Sequence, residues 1–285
     1  MNSLQLIEVN KAINVCLSKV RGKSRVLRNF HGLVRLGERK LLPRIKEWME
    51  ESIKAMQAGL PKMKGRTAAQ RTKSIVDWNV IRANGTIILK PVMLELLGEG
   101  GKTVVERKIL KQERFDVIGL EAVSWATEYS ATLVTEITLE TMEAIQAYIA
   151  QGIDAGKSVQ KIGRELRPLV GLTEKQIFAV ANFHEKLILE RPEYTAARQR
   201  TMADTYARRL HRRRAETIAR TETAAALTEG QREGYAQMGI KRLERVEDPD
   251  CCDICAEYSG KIYTIAEAQG VLPEHPSCEG SWVAA

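Results

Sequence analysis

The chain has 285 residues, of which 44% are apolar and 28% charged. That is long enough for two ordinary domains and far from the compositions of disordered or collagen-like chains. The formal net charge of +8 favours phosphate-bearing or acidic partners. Apolar stretches are short and broken by charge, and "MNSLQLIEVNKAINV" has an acidic residue and no small-residue cleavage site. Neither a membrane span nor a secretory signal is expected.

Only 5% of residues are aromatic, and Ala, Leu, Ile, Glu, Lys and Arg dominate. These residues lose little on entering a helix, so a mainly α fold is predicted. Residues 1–50 hold eleven basic side chains, Lys11, Lys19, Arg21 and Lys23 among them, against four acidic ones. Cys16 stands alone in that stretch as a buried or incidental residue. In "PRIKEWMEESIKAM", Ile45, Trp48, Met49, Ile53 and Met56 recur at helical spacing, with Pro43 ahead of the first turn. Gly59, Pro61 and Gly65 mark a loop. "SIVDWNVIRAN" reads as a helix that stops near Asn84-Gly85, and "EGGK" (99–102) as a loop.

Between 120 and 156 the apolar spacing predicts two helices closed by Gly156. A short helix follows Ser158, then a loop at Gly171. The next helix is capped by Thr173, with Gln176 three residues on, a capping-box spacing. The pair is a helix-turn-helix by spacing, and packing is its default use. His31, His184 and His211 stand singly on predicted helices. From 194 to 239 long helices are expected. Seven arginines face one Asp in "RQRTMADTYARRLHRRR", and Arg208, Arg209, Arg212, Arg213 and Arg214 are candidates for DNA contact. Arg220 and Glu222 lie two apart, on different faces, and are expected to pair with other elements. After Gly239, "IKRLERVEDPD" and "GKIYTI" read as short strands bounding an acidic stretch.

Zinc takes four tetrahedral ligands from thiolate and imidazole, and a two-residue spacer lets one turn supply two of them. Cys252-x-x-Cys255 and His275-x-x-Cys278 are such turns, separated by 256–274, enough for a hairpin. A reducing compartment also makes clustered cysteines ligands more often than disulfides. An unmetallated packing cluster and a disulfide remain alternatives, and Cys251 competes with Cys252 as first ligand. Four protein ligands leave no open corner for water, which argues for a structural ion. No phosphate-binding Gly-rich loop, Gly-x-Ser-x-Gly elbow or His-Glu-x-x-His pair is present, so no enzyme activity is expected.

"RAETIARTETAAALTEGQREGYAQMGI", then "EDPDCCDICAEYSGKIY", then "LPEHPSC", in that order, resemble the phage head morphogenesis family, the Mu F-like minor head proteins. The marks are carried by Arg214, Arg220, Thr221, Glu222, Asp250, Gly260 and Pro276. The resemblance covers roughly 120–280. One departure is that the family usually ends Cys-Arg-Cys, whereas Cys278 is followed here by Glu279 and Gly280.

The resemblance implies a structural minor capsid protein of a tailed bacteriophage, acting in procapsid and head morphogenesis at or near the portal. Its partners would be portal or major capsid protein and, without sequence preference, packaged double-stranded DNA. No membrane and no small-molecule substrate is expected. Its place would be the virion, and the host cytoplasm during assembly. The alternative is a cytoplasmic DNA-binding regulator with a zinc module. The expected architecture is an elongated multi-helix body with a small C-terminal α+β module stapled by zinc. It divides into a basic N-terminal helical region (1–118), a helical core (119–239) and a Cys/His module (240–285).

Overall fold

The computed structural model describes the backbone of residues 3–105 and 119–285, and side chains over 22–104 and 119–285. Cys16, Lys11, Lys19 and Arg21 lie outside the described side chains, and the boundary expected at 118 lies outside the described residues. The helices are α1 (Ser3–Gly59), a 3-10 turn at Leu60–Lys62, α2 (Ala68–Lys73), α3 (Trp78–Val105), α4 (Leu120–Asp154), α5 (Val159–Leu166), α6 (Glu174–Glu190) and α7 (Ala196–Gln237). Strand β1 (Arg242–Val246), the one-turn helix α8 (Asp253–Ala256), β2 (Ile262–Thr264) and β3 (Ser281–Ala284) follow. The fold is mainly helical with a small strand module at its C-terminal end, as expected.

Helix boundaries depart from the sequence reading at several Gly and Pro positions, although the breaks at Gly59–Gly65, Gly156 and Gly171 stand as read. Pro43 does not open a helix but lies inside α1, and Pro91 lies inside α3. An interior proline removes a backbone bond and costs about 3 kcal/mol. Here the turns around it are anchored by fully buried Leu41, Ile45, Leu89 and Met93. Asn84-Gly85 does not end α3, nor does "EGGK" interrupt it. A Cβ at Gly85 would stand 2.7 Å from the Trp48 indole, and one at Gly100 would stand 2.1 Å from the Leu227 carbonyl oxygen. These glycines serve close packing, not chain reversal. Likewise α4 is one helix where two were expected, ending ahead of Gly156 at φ +66°.

The remaining starts are as read. Ser158 caps α5 by accepting from the Lys161 N–H, and Thr173 and Gln176 form the reciprocal capping box of α6.

The described chain forms two compact units, each discontinuous in sequence. One comprises 41–91 and 125–218. Its core joins Met56, Leu60, Trp78, Ile145, Ile149, Ile162, Leu166, Val170, Leu172, Ile177 and Ala207, so the α5–α6 pair spends its apolar residues on packing. Half-buried His211 donates from Nε2 to the Pro168 carbonyl at 3.3 Å. Its pKa is held below the ordinary imidazole value, first by burial, with the Arg214 charge adding to it.

The other unit comprises residues up to Lys40, 92–124 and 219–285. Here α3 and α7 meet backbone to backbone. A Cβ at Gly230 would lie 2.0 Å from the Leu97 carbonyl oxygen, and Gly230 sits inside α7 without breaking it. The strands form an antiparallel sheet ordered β2-β1-β3, with Leu243 opposite Tyr263 and Arg245 opposite Trp282. Strand β3 was not foreseen. The sheet and its loops bury Leu243, Cys255, Ala268, Leu272, Cys278 and Trp282 with Tyr235 and Val104.

Two outcomes are expected from urea unfolding. Gly230→Ala should lose about 1–3 kcal/mol by overpacking, whereas Gly32→Ala, whose added Cβ meets nothing within 4 Å, should gain about 0.5–1 kcal/mol. The second concerns pH. As pH falls through about 6.5, the ordinary value of a free imidazole, the unfolded chain takes up a proton that the native imidazole of His211 resists. Stability therefore falls as pH falls, and His211→Gln should flatten that decline between about pH 7 and 5.5.

Candidate metal centre

Strand β1 delivers the chain into an acidic turn. Asp248 Oδ1 accepts from the Asp250 N–H at 3.0 Å, and the Asp248 carbonyl accepts from the Cys251 N–H at 3.0 Å. This turn sets Cys252 at the cap position of α8 and Cys255 within its single turn. Gly260, at φ +82°, returns the chain to β2 and donates its N–H to the Arg245 carbonyl at 2.8 Å. The second turn closes when the Cys278 N–H donates to the His275 carbonyl at 3.0 Å.

The two turns bring their donors together. Cys252 Sγ and Cys255 Sγ each lie 3.1 Å from His275 Nε2, and Cys278 Sγ lies 3.6 Å from Cys255 Sγ. Two thiolates each about 2.3 Å from one tetrahedral ion stand about 3.8 Å apart, so the sulfur spacing suits a shared ion. Cys252, Cys255 and His275 form one group of donor atoms mutually within 4.8 Å, and Glu247, Cys255 and Cys278 form another. Cys255 belongs to both. The four cysteines of this module are free thiols, with no disulfide among them. Cys251 joins neither group and packs instead against the apolar core of the module.

The surroundings favour ligation. His275 Nδ1 donates to the Pro276 carbonyl at 3.0 Å, which leaves the Nε2 lone pair facing the sulfurs, the tautomer a metal ligand needs. That same backbone bond is the first cause raising the His275 pKa. The Cys252 thiol is lowered, first by the backbone N–H of Cys255, while burial pushes the Cys255 thiol well up.

Beneath the sulfurs lies Arg245, fully buried. Its Nε donates to Glu247 Oε1 at 2.5 Å, Nη1 to Glu274 Oε2 at 2.8 Å and Nη2 to Cys255 Sγ at 3.7 Å, and it sits over the Tyr258 ring. Burial alone would lower its pKa, but the two carboxylates outweigh that and raise it. Burial in turn raises the Glu247 carboxyl. Nothing in the local spacing of "RLERVED" singled out this buried cation, because alternate strand positions look alike until the register is known.

The other motif residues tie the module to α7. Thr221 Oγ1 accepts from the Ser277 N–H at 3.0 Å, and Arg220 Nε lies 3.5 Å from Glu38 and 3.8 Å from Glu279, so Arg220 pairs outside its own helix as expected. Glu222 is buried and Asp250 exposed. Further along the same face of α7, the Thr228 hydroxyl meets the Leu272 carbonyl at 3.2 Å. Gln231 Oε1 accepts from Ser281 Oγ at 3.0 Å and from the Trp282 N–H at 3.2 Å.

Of the arginines proposed for DNA, Arg208, Arg209, Arg212 and Arg213 are exposed. Arg214 is buried in the other unit, with Nη1 on the Gly171 carbonyl at 2.7 Å and Nη2 on Glu140 at 2.6 Å. That places it within the helix packing, away from solvent.

Residues 143–282 match the family model for Phage Mu protein F like proteins. No curated protein and no solved structure matches the chain.

Removing the buried cation should cost far more than a surface change. Arg245→Ala leaves Glu247 buried without its partner and should lose about 3–5 kcal/mol in equilibrium unfolding. A loss under about 1 kcal/mol would contradict this account of the site.

Proposed function

Because residues 143–282 belong to the Phage Mu protein F like family, we propose that the protein is a structural minor head protein of a tailed bacteriophage. In this reading it acts in procapsid and head morphogenesis at or near the portal, binding portal protein or major capsid protein. Its place is the virion, with assembly in the host cytoplasm. No helix among the described residues is long and apolar enough to cross a membrane.

One observation carries the reading beyond family membership. Two of the family-marking residues meet the terminal module, with the Arg220-Thr221 segment of α7 holding the turn that presents His275 and Cys278. Such a module on a helical platform suits docking to a partner protein. In this reading the protein is a structural component and not an enzyme. A structural zinc held by Cys252, Cys255, His275 and Cys278 completes the module. Three thiolates and an imidazole suit zinc, and so small a core gains from an ion. Contact with packaged DNA falls to exposed Arg208, Arg209, Arg212 and Arg213, which would meet phosphates without reading bases.

The reading predicts that the protein co-purifies with phage heads and that its deletion abolishes infectious, DNA-filled particles. Normal particles without it would refute the proposal. Binding to a short duplex should be independent of sequence. Replacing the four exposed arginines with Ala should reduce the slope of log K against log salt by roughly three to four. Tight, sequence-selective binding would instead favour a regulator working through the α5–α6 pair.

A further inference from the structure

We propose that Glu247 is an alternative donor for the fourth corner of the metal centre, so that the ion is held on its buried side by either the Cys278 thiolate or the Glu247 carboxylate. The inference rests on the zinc reading above.

Cys252, Cys255 and His275 supply three donors mutually within 4.8 Å, which leaves one tetrahedral corner. Two groups flank it. Cys278 Sγ lies 3.6 Å from Cys255 Sγ, and Cys278 and a Glu247 carboxylate oxygen both cluster with Cys255 while standing outside the Cys252 and His275 group. Glu247 is no surface acid that happens to lie close, since its side chain is only 3% exposed. A buried carboxylate beside two sulfurs that ionise on metal binding is unfavourable unless cations face it. Arg245 is one such cation, and it occupies Oε1. A metal ion would be the second.

The chemistry permits the exchange. Zinc accepts carboxylate oxygen at about 2.0–2.2 Å as readily as it accepts thiolate at about 2.3 Å. Both groups carry one negative charge when bound, so either completes the centre with the same net charge. The Arg245 bond to Oε1 fixes the rotation of the carboxyl group, as outer hydrogen bonds do for metal ligands. Gly280 supplies the space, because a Cβ there would stand 2.4 Å from Oε1 and 2.8 Å from Oε2. A side chain at residue 280 would push the carboxyl group from its present position. Cys255, common to both groups, has no such substitute.

The test loads the full-length protein with Co2+ and measures bound metal per chain together with the intensity of the sulfur-to-cobalt charge-transfer absorption. Cys278→Ser should keep about one ion per chain while the absorption drops by about one third, from three thiolates to two. Glu247→Gln, which still offers Arg245 an acceptor, should keep both ion and absorption. The double variant should lose the ion. Gly280→Ala in the Cys278→Ser background alters no donor but displaces the carboxyl group, so it should lose the ion as well and guards against misfolding of the double variant. Metal bound by the parent but lost from Cys278→Ser alone would overturn the role of Glu247 and leave the zinc reading standing. Metal retained by the double variant would overturn it equally. No metal in the parent would overturn both.

Discussion

The terminal module stands on one face of α7. Thr221, Thr228, Gln231 and Tyr235 recur at steps of seven, three and four residues, which puts them on one stripe of the helix. Each reaches the backbone of the module: Ser277, Leu272, Trp282 and again Trp282. A shift of α7 by one residue would turn all four away together. The helix is therefore held where it is by its other contact, the backbone-to-backbone approach of Gly230 to Leu97 and of Gly100 to Leu227. Larger side chains at these glycines would lift α7 from α3 and carry the stripe with it.

On that platform the module solves an electrostatic problem in layers. A fully buried Arg245 donates to the Cys255 sulfur and is itself held between Glu247 and Glu274. Buried ion pairs of this kind add little net stability, but breaking one is costly because it leaves a buried charge unpaired. The arrangement orients Cys255 through an N–H···S contact and brings the Glu247 carboxyl to the edge of the cluster. His275 is oriented separately, by the carbonyl of Pro276. An ion held by these donors would therefore stabilise the geometry of the module.

Much of this was legible in the residues. The two Cys/His turns, the caps at Ser158 and Thr173, β1, β2 and the helical character all follow from local spacing and local hydrogen bonding. The errors share one cause. Gly85, Gly100 and Pro43 were read as punctuation because a glycine or proline looks the same whether it ends a helix or lets another helix approach, and only tertiary contacts tell the cases apart. For the same reason Arg214 read as one more basic residue in a run, although it is buried against Glu140. Strand β3 is four residues long, too short to show a period, and pairs only because β1 lies beside it. The roles of Arg245 and Glu247 depend on sheet register and on an absent side chain at Gly280, neither of which local sequence states. The Glu247 carboxyl takes up the room beside that glycine.

The most direct test of the account is the metal content of the purified protein by elemental analysis, beside that of a Cys252→Ser, Cys255→Ser variant. The account predicts about one zinc per chain in the parent and none in the variant, since one structural site takes one ion. Parent protein that folds with no metal, or a variant that retains it, would contradict the claim that these two turns form a single metal centre.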